Sequence, residues 1–398
     1  AGALGSNTTA SNNTAVGFNA LTTNTTGTQN VAVGYKALEV STDNNNTAVG
    51  YECLAKATTG TQNTAIGKDA MRNNTTGGYS VAVGMQALES NTTGTRNTAL
   101  GSNALFTNVT GNDNVAVGRD TLYSNTASDN TAVGYQALQN NTTGTRLVSI
   151  GHLALRNNTT GVDNVAIGRY ALRDNTTTSN SIAIGTNALV HNIASNNNAV
   201  GSYALDANTT GSACNAFGLG ALGKNTTANH NSAFGSSALT DNTTGANNSA
   251  FGSNSLYKNT TADNNTAFGA FSLDACTTGT ANNALGVNSG TNVTTGNYNN
   301  LFGYGAGGAV TTANGNTGMG HNALAQTTSG VNTGFGFEAA YYTTTGTSNT
   351  AIGYQALKST ALSTASNNTA VGHQALFSNT SGTINTAVGR TALKLNTT

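Results

Sequence analysis

Proline and tryptophan are absent from this chain, and charged residues make up only 8% of it. The formal net charge is +0, so there is no electrostatic footprint for nucleic acid or an anionic membrane surface. No apolar run approaches the roughly 18 residues of a membrane helix. The sequence opens at Ala1 on neither a signal-peptide pattern nor a methionine. The chain begins at Ala1 inside a repeat, and it is expected to be a mature product or a fragment of something longer. The only cysteines are Cys53, Cys214 and Cys276. They lie too far apart for a disulfide framework or a zinc site. Each is expected to replace a small residue, with Cys53 standing where Ala usually stands. Few charges and many amides often mark disorder. Here the apolar residues recur in strict register, which disorder does not require.

What is present is one short unit, copied. Asn130 to Leu138 reads Asn-Thr-Ala-Val-Gly-Tyr-Gln-Ala-Leu and returns almost unchanged at Asn349 to Leu357. Aligned on the glycine after the small-apolar pair, copies run from Gly17 to Gly389. The step is nearly always 17 residues, sometimes 16 and once 19. A 16-residue step fits a residue lost from a turn. The consensus is Asn-Thr-Ala-Val-Gly-x-x-Ala-Leu-x-x-Asn-Thr-Thr-Gly-x-x.

A fixed short period points to a solenoid. Seventeen residues cannot hold two helices, and Gly, Asn and Thr are poor in helix interiors. The fold class expected is therefore all-β, a parallel β-solenoid of about 23 coils. It is expected to form a single continuous array over 1–398, locally irregular at about 286–346, with no separate second domain. Each coil is predicted to hold two short strands. Asn-Thr-Ala-Val forms the first, Gly turns the chain, Ala-Leu begins the second, and Asn-Thr-Thr-Gly makes the second turn.

Stacking turns every column into a ladder of like residues. Asn13, Asn30, Asn46, Asn63, Asn97, Asn114, Asn130 and Asn164 are predicted to form a structural amide ladder, each bonding to the copies above and below. A second column holds Asn7, Asn24, Asn74, Asn91, Asn141, Asn158, Asn208, Asn225, Asn242 and Asn259. Each is an Asn-x-Thr acceptor pattern on an expected surface turn, and so a candidate for glycan attachment. The structural alternative is that Asn and Thr simply favour turns and ladders. The regular Thr spacing admits ice binding as a further alternative.

Val16, Val33, Val49, Val133, Phe217, Phe234, Phe251 and Phe268 belong to the column before Gly. They are core residues or a subunit interface. Ala132 and Val133 are neighbours on a strand and point to opposite faces. If Ala fills a thin interior, Val and Phe face outwards and need covering by partner chains. Thr131 shares the face of Val133 and becomes Val31, Val81, Val115, Val148, Val165 and Ile182 elsewhere, which favours the oligomer. The Ala-Leu pair fails at Ser289-Gly290, Ala306-Gly307 and Ala339-Ala340. Phe enters roughly where Leu leaves, as a packed interior keeping its volume would require.

No catalytic, cofactor or metal residues stand out. His152, His321 and His373 follow the turn Gly at a variable position, which reads as solvent-facing. Asp120, Asp163 and Glu338 read as isolated, with no calcium loop and no paired acids. The chain is not expected to be an enzyme or to hold a cofactor.

Asn-Val-Ala-Val-Gly (114–118), Ser-Ile-Ala-Ile-Gly (181–185) and Ser-Val-Ala-Val-Gly (80–84) resemble the head repeats of YadA-like trimeric autotransporter adhesins. The full consensus also resembles repeats of tail-fibre-like bacterial and viral surface proteins. The adhesin resemblance implies a left-handed parallel β-roll, trimerised through the larger apolar residues. This chain has a longer period and adds Ala-Leu and Asn-Thr-Thr-Gly. The function expected is a non-enzymatic extracellular or cell-surface fibre or adhesin shaft, or a virion fibre. Its partners would be copies of itself, as a homotrimer or end-to-end filament, and host-surface or matrix glycans. No nucleic acid and no membrane insertion are expected. The alternative is an ice-binding or glycan-binding solenoid using Thr and Asn ladders.

Overall fold

The structure is a computed structural model that describes residues 2–398. The chain divides into two compact units, Ala1–Asn196 and Asn197–Thr398. The first carries β1 (Thr14–Val16) to β11 (Ile182–Ile184), and the second β12 (Asn198–Val200) to β23 (Thr386–Val388). Each strand has three residues, and no helix occurs among the described residues.

Within each unit, strands one repeat apart pair in parallel. In the first unit, Thr131, Ala132 and Val133 of β8 (Thr131–Val133) lie against Val148, Ser149 and Ile150. In the second, Asn215, Ala216 and Phe217 lie against Ser232, Ala233 and Phe234. The fold is thus a parallel β-solenoid, one strand per 17-residue repeat, and each residue sits on its counterpart one repeat away.

The strand ends at Gly134 for a steric reason. Its φ is 131°, and a Cβ there would come within 2.6 Å of the Gly151 carbonyl oxygen in the next coil. Coils cannot stack at strand spacing unless this column is glycine.

The second strand expected at Ala-Leu does not form. Ala137 and Leu138 lie in consecutive tight turns. Gln136 has φ 53° and Leu138 φ 52°. A non-glycine residue in this left-handed region costs about 1–2 kcal/mol. Two gains offset the cost. The Leu138 side chain is fully buried. The reversed backbone also aims its donors at both neighbouring coils: Gln136 N–H donates to Arg119 O at 3.1 Å, and Leu138 N–H to Ala154 O at 3.1 Å. An inter-coil ladder thus exists without an extended strand. Alternating patterns in sequence do not separate these two backbones.

The interior is thin. Ala132, Ala137 and Leu138 and their counterparts are buried, while Thr131 and Val133 flank the strand on its outer face. Volume is conserved in the second unit, but not by Phe as expected. In β18 (Asn300–Phe302) the interior Ala becomes Leu301, which is buried. Its neighbours in the Leu column are Gly290 and Gly307. A Cβ at Gly307 would lie 2.6 Å from Leu301 Cδ1, and one at Gly290 2.9 Å. Leu301 occupies the space those glycines leave. The Phe column points outwards and cannot fill it.

Candidate functional site

The predicted Asn ladder forms, with a different rung. Asn46 Nδ2 donates to Gly60 O at 2.8 Å, and its Oδ1 accepts from Asn63 N–H at 3.0 Å. Asn130 Nδ2 donates to Gly144 O at 2.9 Å, and its Oδ1 accepts from Leu147 N–H at 3.1 Å. Asn13, Asn30, Asn63, Asn97, Asn114 and Asn164 donate likewise to a turn carbonyl in the next coil. The side chain bonds chiefly to backbone rather than to its copies. Each amide staples a strand start to the next coil's turn.

The amide-to-amide ladder is instead the column read as glycan sites. Asn91 Nδ2 donates to Asn74 Oδ1 at 2.7 Å, Asn158 to Asn141 at 2.8 Å and Asn225 to Asn208 at 2.8 Å. Asn242 donates to Asn225 at 2.9 Å and Asn259 to Asn242 at 2.7 Å. Asn24, where no such rung forms, donates to Gly27 O at 2.9 Å. Asn24, Asn74, Asn91, Asn141, Asn158, Asn208, Asn225, Asn242 and Asn259 are all fully buried. A glycan on Nδ2 would have to expel the amide from the interior and break its bonds, which corrects the expectation at these nine positions. Asn7 alone of the ten is exposed. The turn carries Asn because a buried amide satisfies both itself and the carbonyl three residues on.

The adjacent Thr column is half-buried or exposed, and already engaged. Thr142 Oγ1 donates to Thr159 O at 2.9 Å, and Thr159 Oγ1 to Thr176 O at 3.0 Å.

Val16, Val33, Val49, Val133, Phe217, Phe234, Phe251 and Phe268 do not belong to the core. Strand alternation turns each away from the buried Ala beside it. Val16 is 59% exposed and Phe268 51%. Phe217, Phe234, Phe251 and Phe268 stack ring on ring, with centroids 4.7, 4.8 and 5.1 Å apart.

A second aromatic column, after the turn Gly, went unread in the sequence. Tyr304, His321, Phe337, Tyr354 and His373 stack at 5.3, 5.1, 5.3 and 5.1 Å. All five positions are exposed. The signal was available: aromatic residues recurring at Gly plus one. It was hidden because other copies put Lys, Ser or Met there.

The acids read as isolated are paired with cations or amides. Asp163 takes Arg146 Nε at 2.6 Å and Nη2 at 2.8 Å, which holds its carboxyl below the usual range. Burial pushes Glu338 up, but bonds from Lys358 Nζ at 2.6 Å and Gln355 outweigh it and hold the carboxyl low. Asp120 accepts from Asn103 Nδ2 at 2.9 Å. Among the described residues, no three His, Cys, Asp or Glu gather as a metal site, and no helix is long and apolar enough to cross a membrane.

The cysteines are buried. Cys53 takes the Ala137 position, as expected, and donates to Ala65 O at 3.1 Å. Burial pushes its thiol up to about 12 and that of Cys276 to about 11. Neither is a nucleophile at neutral pH.

Compared with known proteins, the chain matches no family model and no curated protein.

Proposed function

We propose that the chain is a non-enzymatic structural fibre or adhesin shaft, extracellular or at a cell surface, that packs laterally against copies of itself. The observation that carries this is the outward column before the turn glycine. It is apolar in every strand, from Val16 through Val133 and Phe251 to Val388. The exposed column just after the turn glycine, by contrast, takes charged, polar and aromatic residues. An exposed column that never takes a polar residue is best explained by a surface that another chain covers. Val81, Val115, Val148, Val165 and Ile182 widen the same face by replacing Thr on its other side.

The second reading is an ice-binding or glycan-binding solenoid that uses the Thr and Asn ladders. The inner Thr hydroxyls, Thr142 and Thr159 among them, donate to backbone one coil away, and the Asn amides are interior. The outer Thr column, with Thr143 and Thr160, does face solvent, but it is interrupted at Asp43, Ala127 and Ala194, whereas the apolar column is unbroken. The fibre reading is therefore preferred.

Light scattering coupled to size exclusion tests it. The intact chain should give a defined oligomer whose mass is insensitive to salt, because the contact is apolar. Val133→Asp combined with Phe251→Asp should reduce the mass to one chain without unfolding it. A single-chain mass for the unmodified protein at high concentration would sink the proposal.

A further inference from the structure

The second unit contains a cleft of about 550 Å³ lined by Tyr304, Gly305, Gly308, Asn322, Gln326 and Tyr341, among others. We propose that it binds a neutral, hydroxyl-rich ligand, of the class of an oligosaccharide end.

The cleft arises from missing side chains. The coil that begins at Gly303 reads Gly-Tyr-Gly-Ala-Gly-Gly-Ala, where the copy at Gly134 reads Gly-Tyr-Gln-Ala-Leu-Gln-Asn. Gly305 and Gly308 therefore stand where Gln136 and Gln139 stand in that copy. Gly307 is spoken for by Leu301 inside the core, but the other two glycines open outwards. A side chain at 305 would meet Asn322 Oδ1 at 2.4 Å.

The coil at Gly218 also has glycines at both positions, Gly220 and Gly223. There the next coil supplies Thr240, whose Oγ1 reaches back to donate to Gly220 O at 2.9 Å. The equivalent residue over Gly305 is Ala325, which has no hydroxyl to span the gap. The following coil then places Tyr341 in that same column.

The lining has a definite chemistry. It carries no charged side chain, so an ionic ligand gains nothing there. Asn288, Asn322 and Gln326 line it, and among the described residues their side-chain amides make no hydrogen bond. A fourth lining amide, Asn292, donates through Nδ2 to Gly308 O at 2.6 Å, so three of the four are left free at one place. Amides offer paired donors and acceptors, which match vicinal hydroxyls. Tyr304 is stacked by His321 on one side, and Lys358 Nζ lies 5.9 Å from the Tyr341 ring centre. Both rings sit at the rim of the cleft with a hydroxyl and an apolar body. Concave volume, aromatic surface and a few convergent polar groups are the features of small-ligand sites. The inference is argued separately from self-association, since no residue lining the cleft belongs to a strand.

The test is saturation-transfer NMR and calorimetry on the intact chain with an array of neutral oligosaccharides, chitotetraose and maltotetraose included, and sialyllactose as the charged arm. At least one neutral oligosaccharide should bind. Tyr341→Ala should weaken it at least tenfold. Gly308→Gln should do the same by refilling the cleft. A Cβ at 308 meets nothing closer than 3.4 Å, so this variant keeps its fold, which an unchanged melting curve verifies. Tyr123→Ala, in the same column of the first unit, should leave binding intact. The proposal is overturned if no neutral oligosaccharide binds, if binding survives both cleft variants, or if the sialylated ligand binds more tightly.

Discussion

Asn158 donates through Nδ2 to Asn141 Oδ1, one coil earlier, at 2.8 Å, and the same nitrogen donates to Gly161 O at 3.1 Å. Asn175 then donates to Asn158 Oδ1 at 2.9 Å. One side chain therefore satisfies buried groups in three coils. Asn158→Ala takes one acceptor from Asn175, which keeps Thr178 O, and leaves Asn141 Oδ1 and Gly161 O each short of a donor. An unsatisfied buried group costs about 1–3 kcal/mol. Hydrogen exchange should speed up around residues 141–175 and the melting temperature should fall. Asn7→Ala, on the exposed member of the column, should change neither.

Ala132 and Val133 are adjacent and opposite. Ala132→Val enlarges a residue in a closed interior, and overpacking typically costs about 1–3 kcal/mol. Val133→Thr changes an outward residue and should stay within about 0.5 kcal/mol. Denaturant melts of the two variants give the comparison, and equal losses would contradict the assigned facing.

Gly134→Ala meets both a φ of 131° and a carbonyl at 2.6 Å. Strained backbone alone costs about 1–3 kcal/mol, and the clash with Gly151 adds to it. A loss well above that of Gly308→Ala, where the space is open, is expected in thermal melts.

Leu301 and Gly307 share one volume. Leu301→Ala should cost about 2–5 kcal/mol as a cavity. Gly307→Leu should be destabilising through its clash with Leu301. Together the two changes restore the Ala and Leu found in other coils, so the double variant should be more stable than either single. The double-mutant cycle reads this directly, and additive losses would refute the shared volume.

The buried thiols give a pH dependence. Cys53 is raised from an ordinary 9.0 to about 12. The folded chain therefore holds its proton more tightly than the unfolded chain. Stability from this group is fully present below about 9 and is lost as pH rises towards about 12. Cys276 acts in the same direction up to about 11. Cys53→Ala, which restores the common residue, should flatten the alkaline loss in denaturant melts. Iodoacetamide at pH 8 should label none of the three thiols until the chain is unfolded.

The repeat was legible from composition and spacing. The 17-residue period, the parallel stacking and the glycine turn all follow from Asn130 to Leu138 and its copies, because steric and hydrogen-bonding needs recur with the sequence. The strand-start Asn column was legible too. Residue type alone left three matters open, and the tertiary structure decided each. Leu138 accepts a left-handed backbone because burial and bonds to both neighbouring coils offset it, so a second strand is replaced by turns. Asn158 turns inwards because its own turn carbonyl and the amide one coil away need a partner, so an apparent glycosylation pattern is an interior ladder. Val133 faces outwards because Ala132 is the residue that fits the thin interior. Side-chain direction depends on what the neighbouring coil leaves room for, and no single repeat contains that information.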